Sequence, residues 1–491
     1  PWTWFMLSDP STITTMPAPG SPTAERGRRM AIEDDVTVIG GGIAGMSAAL
    51  AAARDGAEVR LLSHKDSTLR SASGLVDVLG YPPRSADAAD GDEKSGEASA
   101  SSEDGPLANP FEAIPDLPET HPYITVGVEG VRDALALFDE VVGDRYRGSH
   151  TDRNALVPTH GGSVKPTARY PATAAAGLAS DDRSALLVGF ETVTDFDAPL
   201  AAAHLESTGV PFVARGATIS FPGDFRVDAK ITRLADALDA NERVAVEGDG
   251  YTTELPARTA LAEAVKPHLR GEERVGFPAI LGQHDPAEVR ADLESELGAA
   301  VFEVPMGPPS LPGMRLEGAL LSACREAGVR FTTGNPVVDY ETAASEADEG
   351  AGGDGADDRI AAVRVERNGA TIPFHADQFV LATGGLVGKG IDSDREGVEE
   401  PIFDCDVAHS ADRYDWFADD AFGDHPFAQF GVATDDDLRP LDREGDEEFA
   451  NLRAAGAVLG GYDFAAEKSG SGVSLATGVA AGRSAANEVT R

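Results

Sequence analysis

Two hydrophobic rhythms alternate along the chain. Residues 35–39, DVTVI, form a short β-rich run, and GGGIAGMSAALAAARDG follows with Ala and Leu at helical spacing and Gly56 as the stop. AEVRLLS, 57–63, is a second strand, so the chain opens with a strand–glycine loop–helix–strand unit of a parallel sheet. From about 120 to 330, amphipathic helices (VRDALALFDEVV, EVRADLESELG) mix with strand-like runs (ALLVGF, PFVARGATISF). VVDY and RIAAVRVER read as neighbouring strands, with the acidic stretch 341–358 as their hairpin tip. A buried run, ADQFVLATGG (376–385), and a glycine-dense loop leading into a small-residue helix (451–491) close the chain.

At 491 residues the chain has room for two or more domains. Residues 84–108 are acidic and of low complexity, which marks a solvated insertion. Residues 1–29 differ in composition from the rest and read as a disordered extension, with Met30 as the natural start. The segments 30–83 and 330–491 are expected to form one domain, with 109–329 inserted as a second.

Acidic residues number 83 against 41 basic ones, a net charge of −42, which excludes a nucleic-acid or anionic-lipid binder. Such a surface is either an acidic patch for a cationic partner or the solvated shell of a high-salt protein. The spread of acids along the whole chain favours the second. Only two cysteines, Cys324 and Cys405, are present, far apart. They exclude a disulfide scaffold, an iron–sulfur cluster ligated by this chain alone and a Cys-based zinc site. No apolar run approaches the ~18 residues that span a bilayer, so membrane attachment has to come through a partner.

Gly40-Gly41-Gly42-Ile43-Ala44-Gly45 fits G-x-G-x-x-G between a strand and a helix, the context that motif requires. Gly40 permits the turn, Gly42 lets backbone N–H groups approach a phosphate, and Gly45 lets helix and strand pack closely. The motif alone does not choose between FAD, FMN and NAD(P). A strand ending in Ala382-Thr383-Gly384-Gly385, and the terminal Gly-rich loop before the last helix, resemble the two-part flavoproteins of the fumarate-reductase and succinate-dehydrogenase type. The expected fold is therefore α/β: a Rossmann-like, two-part flavin-binding domain of the FAD/NAD(P)-binding type, with an inserted α+β domain. Basic residues considered for a substrate phosphate are Lys65, Arg70, Lys165, Arg169 and Arg315, and His160 is considered as a general base.

The order GGGIAGMSAALAAARDGAEV, LRSASGLVDVLGY, FEVPMGPPSLPGMRL, ADQFVLATGG, QFGVATDDDLRP and NLRAAGAVLGGYDFAAEKSGSGV resembles the B subunit of anaerobic glycerol-3-phosphate dehydrogenase, over most of 34–483. The resemblance implies a flavin-bearing member of a complex that oxidises sn-glycerol 3-phosphate to dihydroxyacetone phosphate. Its implied partners are the A subunit, which bears FAD, and the C subunit, an iron–sulfur protein that anchors the dimer to the membrane and feeds the quinone pool. The chain itself would be cytoplasmic and only peripherally membrane-associated. The implied cofactor is FMN, with FAD as the alternative. Carried over by the motif match as flavin contacts are Gly40, Gly42, Gly45, Ser73, Gly74, Gly384, Gly385, Gly460, Gly461, Gly470 and Gly472; no metal ligands and no catalytic base are implied. One feature of the residues supports FMN. The second strand ends at Ser63, about where a ribose-binding acid would fall, and FMN has no adenosine to hold. Asp66, three positions on, keeps FAD possible. Whether this chain performs the oxidation or only relays electrons stays open, and the competing readings are an unrelated FAD- or NAD(P)-dependent oxidoreductase and a structural protein of the same complex that binds no cofactor.

Overall fold

The computed structural model describes residues 32–83, 105–226, 228–248, 251–343, 359–421 and 423–490. The expected extension 1–29, most of the acidic insertion 84–108 and most of the loop 341–358 lie outside the described residues. In chain order the elements that position the site are β1 (Ile32–Ile39), α1 (Ile43–Arg54), β2 (Val59–Ser63), α2 (Pro122–Val142), β3 (Ala185–Phe190), β4 (Ala214–Ile219), β5 (Arg274–Pro278), β6 (Ala300–Val304), α3 (Leu311–Glu326), β7 (Arg330–Thr333), β8 (Val337–Thr342), β9 (Ile360–Arg367), β10 (Ala370–Leu381), β11 (Leu452–Ala454) and α4 (Gly470–Val489).

The main sheet runs β7-β2-β1-β10-β9-β8, with β11 also on β10. β7, β2, β1, β10 and β11 are parallel, and β8, β9 and the first half of β10 form an antiparallel extension. β10 makes that switch possible because it is long. Residues 370–375 pair with β9, and residues 379–381 pair with β11 along the same edge. The central strand β1 buries Val36, Thr37, Val38 and Ile39 in succession, as a parallel strand covered on both faces does. α1 is buried from Ile43 through Ala52, so its Ala-rich composition is what fits it between neighbours on several sides. A second sheet, β6-β5-β3-β4, is wholly parallel.

The apolar core divides accordingly. One cluster joins β1, α1, β2, α2, α3, β9, β10 and α4, and a second holds only residues from Ala185 to Leu311. Helices α2 and α3 fall within 109–329, the stretch assigned from sequence to an inserted domain, yet they pack on the first core. α2 presents Val131, Leu135, Phe138 and Val142 inward and lies against α4, while α3 lies against α1, with Cys324 Sγ donating to the Met46 carbonyl at 3.3 Å. Helical periodicity reveals an apolar face but not the sheet that covers it.

Helices α1 and α4 pack backbone against backbone. A Cβ at Gly478 would stand 2.4 Å from the Ala44 carbonyl oxygen, and one at Gly482 would stand 2.2 Å from that of Ala48. Gly482→Leu is expected to cost about 2 kcal/mol by forcing the two backbones apart. Gly318 is exposed on α3 with nothing within 4 Å of a would-be Cβ, so Gly318→Ala should stabilise by about 0.5–1 kcal/mol. Paired denaturant titrations decide both.

Candidate functional site

The loop between β1 and α1 is shaped by backbone approach. Gly40 has φ +126°, and a Cβ there would lie 2.0 Å from the Ala382 carbonyl oxygen at the end of β10. A Cβ on Gly45 would lie 2.0 Å from the Gly40 carbonyl oxygen. Gly42 differs: nothing lies within 4 Å of its would-be Cβ. It is the N-cap of α1, it offers no capping side chain, and the first turn of the helix holds no acid. The first-turn N–H groups of α1 therefore have no side-chain cap, with the positive end of the helix dipole behind them. That donor set fits a phosphate. Ser63 closes the loop from the side, its Oγ 2.7 Å from a Cβ on Gly41, while it donates to the Lys65 carbonyl at 3.0 Å.

The other expected contact residues separate into groups. Gly384 and Gly385 follow β10 beside the same crossing, where a Cβ on Gly385 would meet the Ala457 carbonyl oxygen at 2.5 Å. The Thr383 hydroxyl next to them is buried and has no hydrogen-bond partner among the described residues. Gly470 opens α4, whose N-cap Ser469 supplies no side-chain cap and whose first turn holds no acid. Gly472, by contrast, is filled in. Its N–H donates to the Asp77 carbonyl at 2.7 Å, and a Cβ there would strike the Tyr123 hydroxyl at 2.3 Å. Gly74 packs on Pro312, 2.7 Å from a would-be Cβ, and its carbonyl accepts from the Tyr146 hydroxyl at 2.7 Å. Ser73 Oγ accepts only the Leu75 N–H, at 3.4 Å. Gly460 and Gly461 lie apart, against Gly431 and Thr120, in the wall of a cavity of about 730 Å³.

That cavity is assembled from segments near 119–125, 424–434 and 459–467, too scattered to be seen as one site in the sequence. Pro122, Phe430, Val432, Leu441 and Leu459 give it apolar walls, and among the described residues its lining includes no Lys or Arg. Glu119, Asp424, Asp463 and Glu467 make it acidic. His425 is engaged through both ring nitrogens, accepting the Ala418 N–H at 3.1 Å and facing the Ala421 carbonyl at 3.3 Å. Beside the cavity, buried His121 accepts the Tyr123 N–H at Nδ1 (3.0 Å) and so carries its proton on Nε2, 3.2 Å from Glu467 Oε2. Ser469 Oγ donates to the same oxygen at 2.8 Å, and the Asp463 N–H reaches Oε1 at 3.1 Å. Because His121 caps α2 through Nδ1, it is fixed as a donor that orients Glu467. This pair spans 346 positions in sequence, and nothing local announced it.

The considered phosphate ligands are largely taken. Arg169 forks onto Asp139 at 2.8 and 2.9 Å, and Arg315 pairs with Glu303 at 2.6 Å. Lys165 meets buried Asp77 at 2.5 Å; burial pushes the Asp77 carboxyl up, partly opposed by that ammonium. Arg70 lies 3.8 Å from both Asp66 and Glu317, and Lys65 is exposed on the loop after β2. His160 sits beside Gly307 with no hydrogen-bonded carboxylate to orient it.

The cavity wall between 398 and 449 has little regular structure and leans on buried carboxylates. Glu400 accepts the N–H groups of Ile402 and Phe403 at 3.0 and 2.7 Å, and Glu448 accepts that of Asp406 at 2.7 Å. Burial pushes Glu400 up to about 7, with the backbone donors only partly offsetting it.

A protein-family model described as an FAD binding domain matches residues 35–473. The probable B subunit of the anaerobic glycerol-3-phosphate dehydrogenase of Halobacterium salinarum is 63% identical over 460 residues, covering 94% of this chain and 99% of that protein. The B subunit of the anaerobic glycerol-3-phosphate dehydrogenase of Vibrio cholerae is 30% identical over 90% of this chain and 94% of its own length. The protein of that name in Yersinia pestis is 31% identical over 91% and 96%. Among solved structures, the 3-ketosteroid-Δ4-(5α)-dehydrogenase of Rhodococcus jostii RHA1 covers 94% of this chain and 97% of its own at 13% identity, with a TM-score of 0.33, too slight a likeness to build on.

Two outcomes are expected. Gly42→Ala should keep its bound flavin, whereas Gly42→Asp, which places a carboxylate before the open N–H groups, should lower flavin per chain at least tenfold with an unchanged circular dichroism spectrum. The second concerns pH. Glu400 is protonated in the folded chain over a range where an ordinary carboxyl, at 4.5, is ionised, so the folded state binds the extra proton. Stability should therefore fall as pH rises from about 4.5 to about 7, and Glu400→Gln should flatten that stretch of the melting-temperature profile.

Proposed function

The chain belongs to the FAD-binding flavoprotein family and, within it, to the B-subunit group of anaerobic glycerol-3-phosphate dehydrogenases, and from that premise we propose that it is a flavin-bearing subunit of such a complex. The complex oxidises the secondary alcohol of sn-glycerol 3-phosphate to the ketone of dihydroxyacetone phosphate. A bound flavin supplies the two-electron acceptor. Gly42 and the first turn of α1 hold the cofactor phosphate, Gly40 and Gly45 keep that turn close to β10, and Gly384 and Gly385 border it. Gly460, Gly461 and Gly470 belong to the ring-side wall. Gly74 and Gly472 shape the site by packing rather than by contact. The observation that carries this reading is the uncapped, acid-free N-terminus of α1 behind Gly42.

The cofactor is FMN on this reading. No carboxylate ends β2, where Ser63 turns its hydroxyl back to the Lys65 carbonyl, and Asp66 is exposed on the loop beside Arg70. A cofactor ending at one phosphate needs neither. The A subunit, bearing FAD, and the iron–sulfur C subunit, which gives contact with the membrane and the quinone pool, complete the assembly. Among the described residues no helix is long and apolar enough to cross a membrane, so attachment runs through a partner.

The acidic cavity favours a division of labour. A phosphorylated substrate entering it would meet four carboxylates and no Lys or Arg. This chain then relays electrons from a substrate oxidised on another subunit. Cofactor released by acid should chromatograph as FMN, and stoichiometric FAD would reverse that assignment. Glycerol 3-phosphate-dependent dye reduction should need the whole complex; equal rates from the partners without this chain would remove it from the electron path.

A further inference from the structure

Most large apolar side chains are buried, and the exposed ones are unevenly placed. Ile124, Phe427 and Phe464 are 37, 41 and 43% exposed, and each is a sequence neighbour of residues that line the cavity. Phe427 stacks on the cavity residue His425, with ring centroids 5.2 Å apart and planes 17° from parallel. Phe464 lies 3.2 Å from a would-be Cβ on Gly470, beside the start of α4. Phe417, 50% exposed, precedes Ala418, whose N–H binds His425. This apolar rim is four exposed side chains on the segments that line or adjoin the cavity, on a chain whose surface is otherwise strongly acidic. The flanking stretch 412–424 adds Asp412, Asp415, Asp419, Asp420 and Asp424 against the single Arg413, a steeper imbalance than the twofold excess of the whole chain.

We propose that this rim is the docking face for another subunit of the complex, one that presents an apolar centre ringed by Lys and Arg. The inference rests on the complex proposed above. Physical chemistry divides the labour between the two kinds of residue. At the ionic strengths an acidic shell suits, charge attraction reaches only about 3 Å, so carboxylates select a partner at contact but do not draw it in. Apolar burial is not screened, and excluded salts strengthen it. The aromatic rim therefore supplies affinity, and the aspartates reject faces that lack basic residues. Docking here would close the cavity at the side where Gly460, Gly461 and α4 begin, which places the partner next to the ring-side wall of the proposed flavin site.

The test uses the complex purified in molar KCl with a benzophenone amino acid in place of Phe427, of Phe464, or of Leu200, a more exposed apolar residue beside the second core that serves as control. Irradiation should join positions 427 and 464, but not 200, to a different subunit, on a peptide where apolar residues alternate with Lys or Arg. Phe417→Asp with Phe427→Asp should leave flavin content and melting temperature unchanged, and should lower recovery of the other subunits at least tenfold. Adducts only to a second copy of this chain, adducts only from position 200, or undiminished recovery from the double variant would each overturn the proposal while leaving the complex standing. A wild-type chain that elutes with no other subunit overturns the complex and this docking face together.

Discussion

Everything at the proposed cofactor site depends on how close three backbones come at one crossing. The end of β1, the end of β10 and the first turn of α1 meet with no side chain between them, and α4 presses on α1 from the other side. Would-be Cβ atoms at Gly40, Gly45, Gly478 and Gly482 would each stand within 2.4 Å of a carbonyl oxygen. The glycines are therefore not interchangeable with small residues. A shift of even about 1 Å in α1 would re-aim its free N–H groups, since helix direction is set by that contact and not by any capping side chain. Gly42 is the exception at this crossing: a Cβ there would meet nothing within 4 Å, which leaves room on that side of the loop for the proposed phosphate.

The legible part of the fold was the part encoded locally. β1, the glycine loop, α1 and β2 stand where strand and helix periodicities put them, and so do the strands at ALLVGF and within PFVARGATISF. The strands flanking 341–358 pair antiparallel, as their patterns suggested. What was not legible is non-local. α2 has a clear apolar face, but only the folded chain shows that it covers α4 and not the second sheet. Glycine-rich stretches posed the same problem at the site. Gly74 and Gly42 look alike in sequence, yet one abuts Pro312 and the other open space. The cavity and the His121–Glu467 pair combine residues hundreds of positions apart, beyond the reach of any motif.

The acidic surface and the site chemistry are linked through arginine. In a chain with twice as many acids as bases, a guanidinium near a carboxylate is readily captured, and three of the four buried arginines among the described residues show it: Arg169, Arg258 and Arg453 end on Asp or Glu, while Arg274 is held mainly by backbone carbonyls. A side chain so committed cannot also grip a phosphate without leaving a buried carboxylate unpaired, which costs several kcal/mol. Anion recognition then falls to donors that carboxylates cannot occupy. Backbone N–H groups at a helix N-terminus qualify only if the first turn is kept free of Asp, Glu and capping side chains. α1 meets that condition, in a chain where helices elsewhere, such as the one at Pro286–Leu297, use Asp caps and first-turn Glu; α4 also lacks a side-chain cap and a first-turn acid, but its Gly472 N–H is already taken by the Asp77 carbonyl. The bare start of α1 is thus better evidence for an anionic ligand here than it would be in a chain of balanced charge.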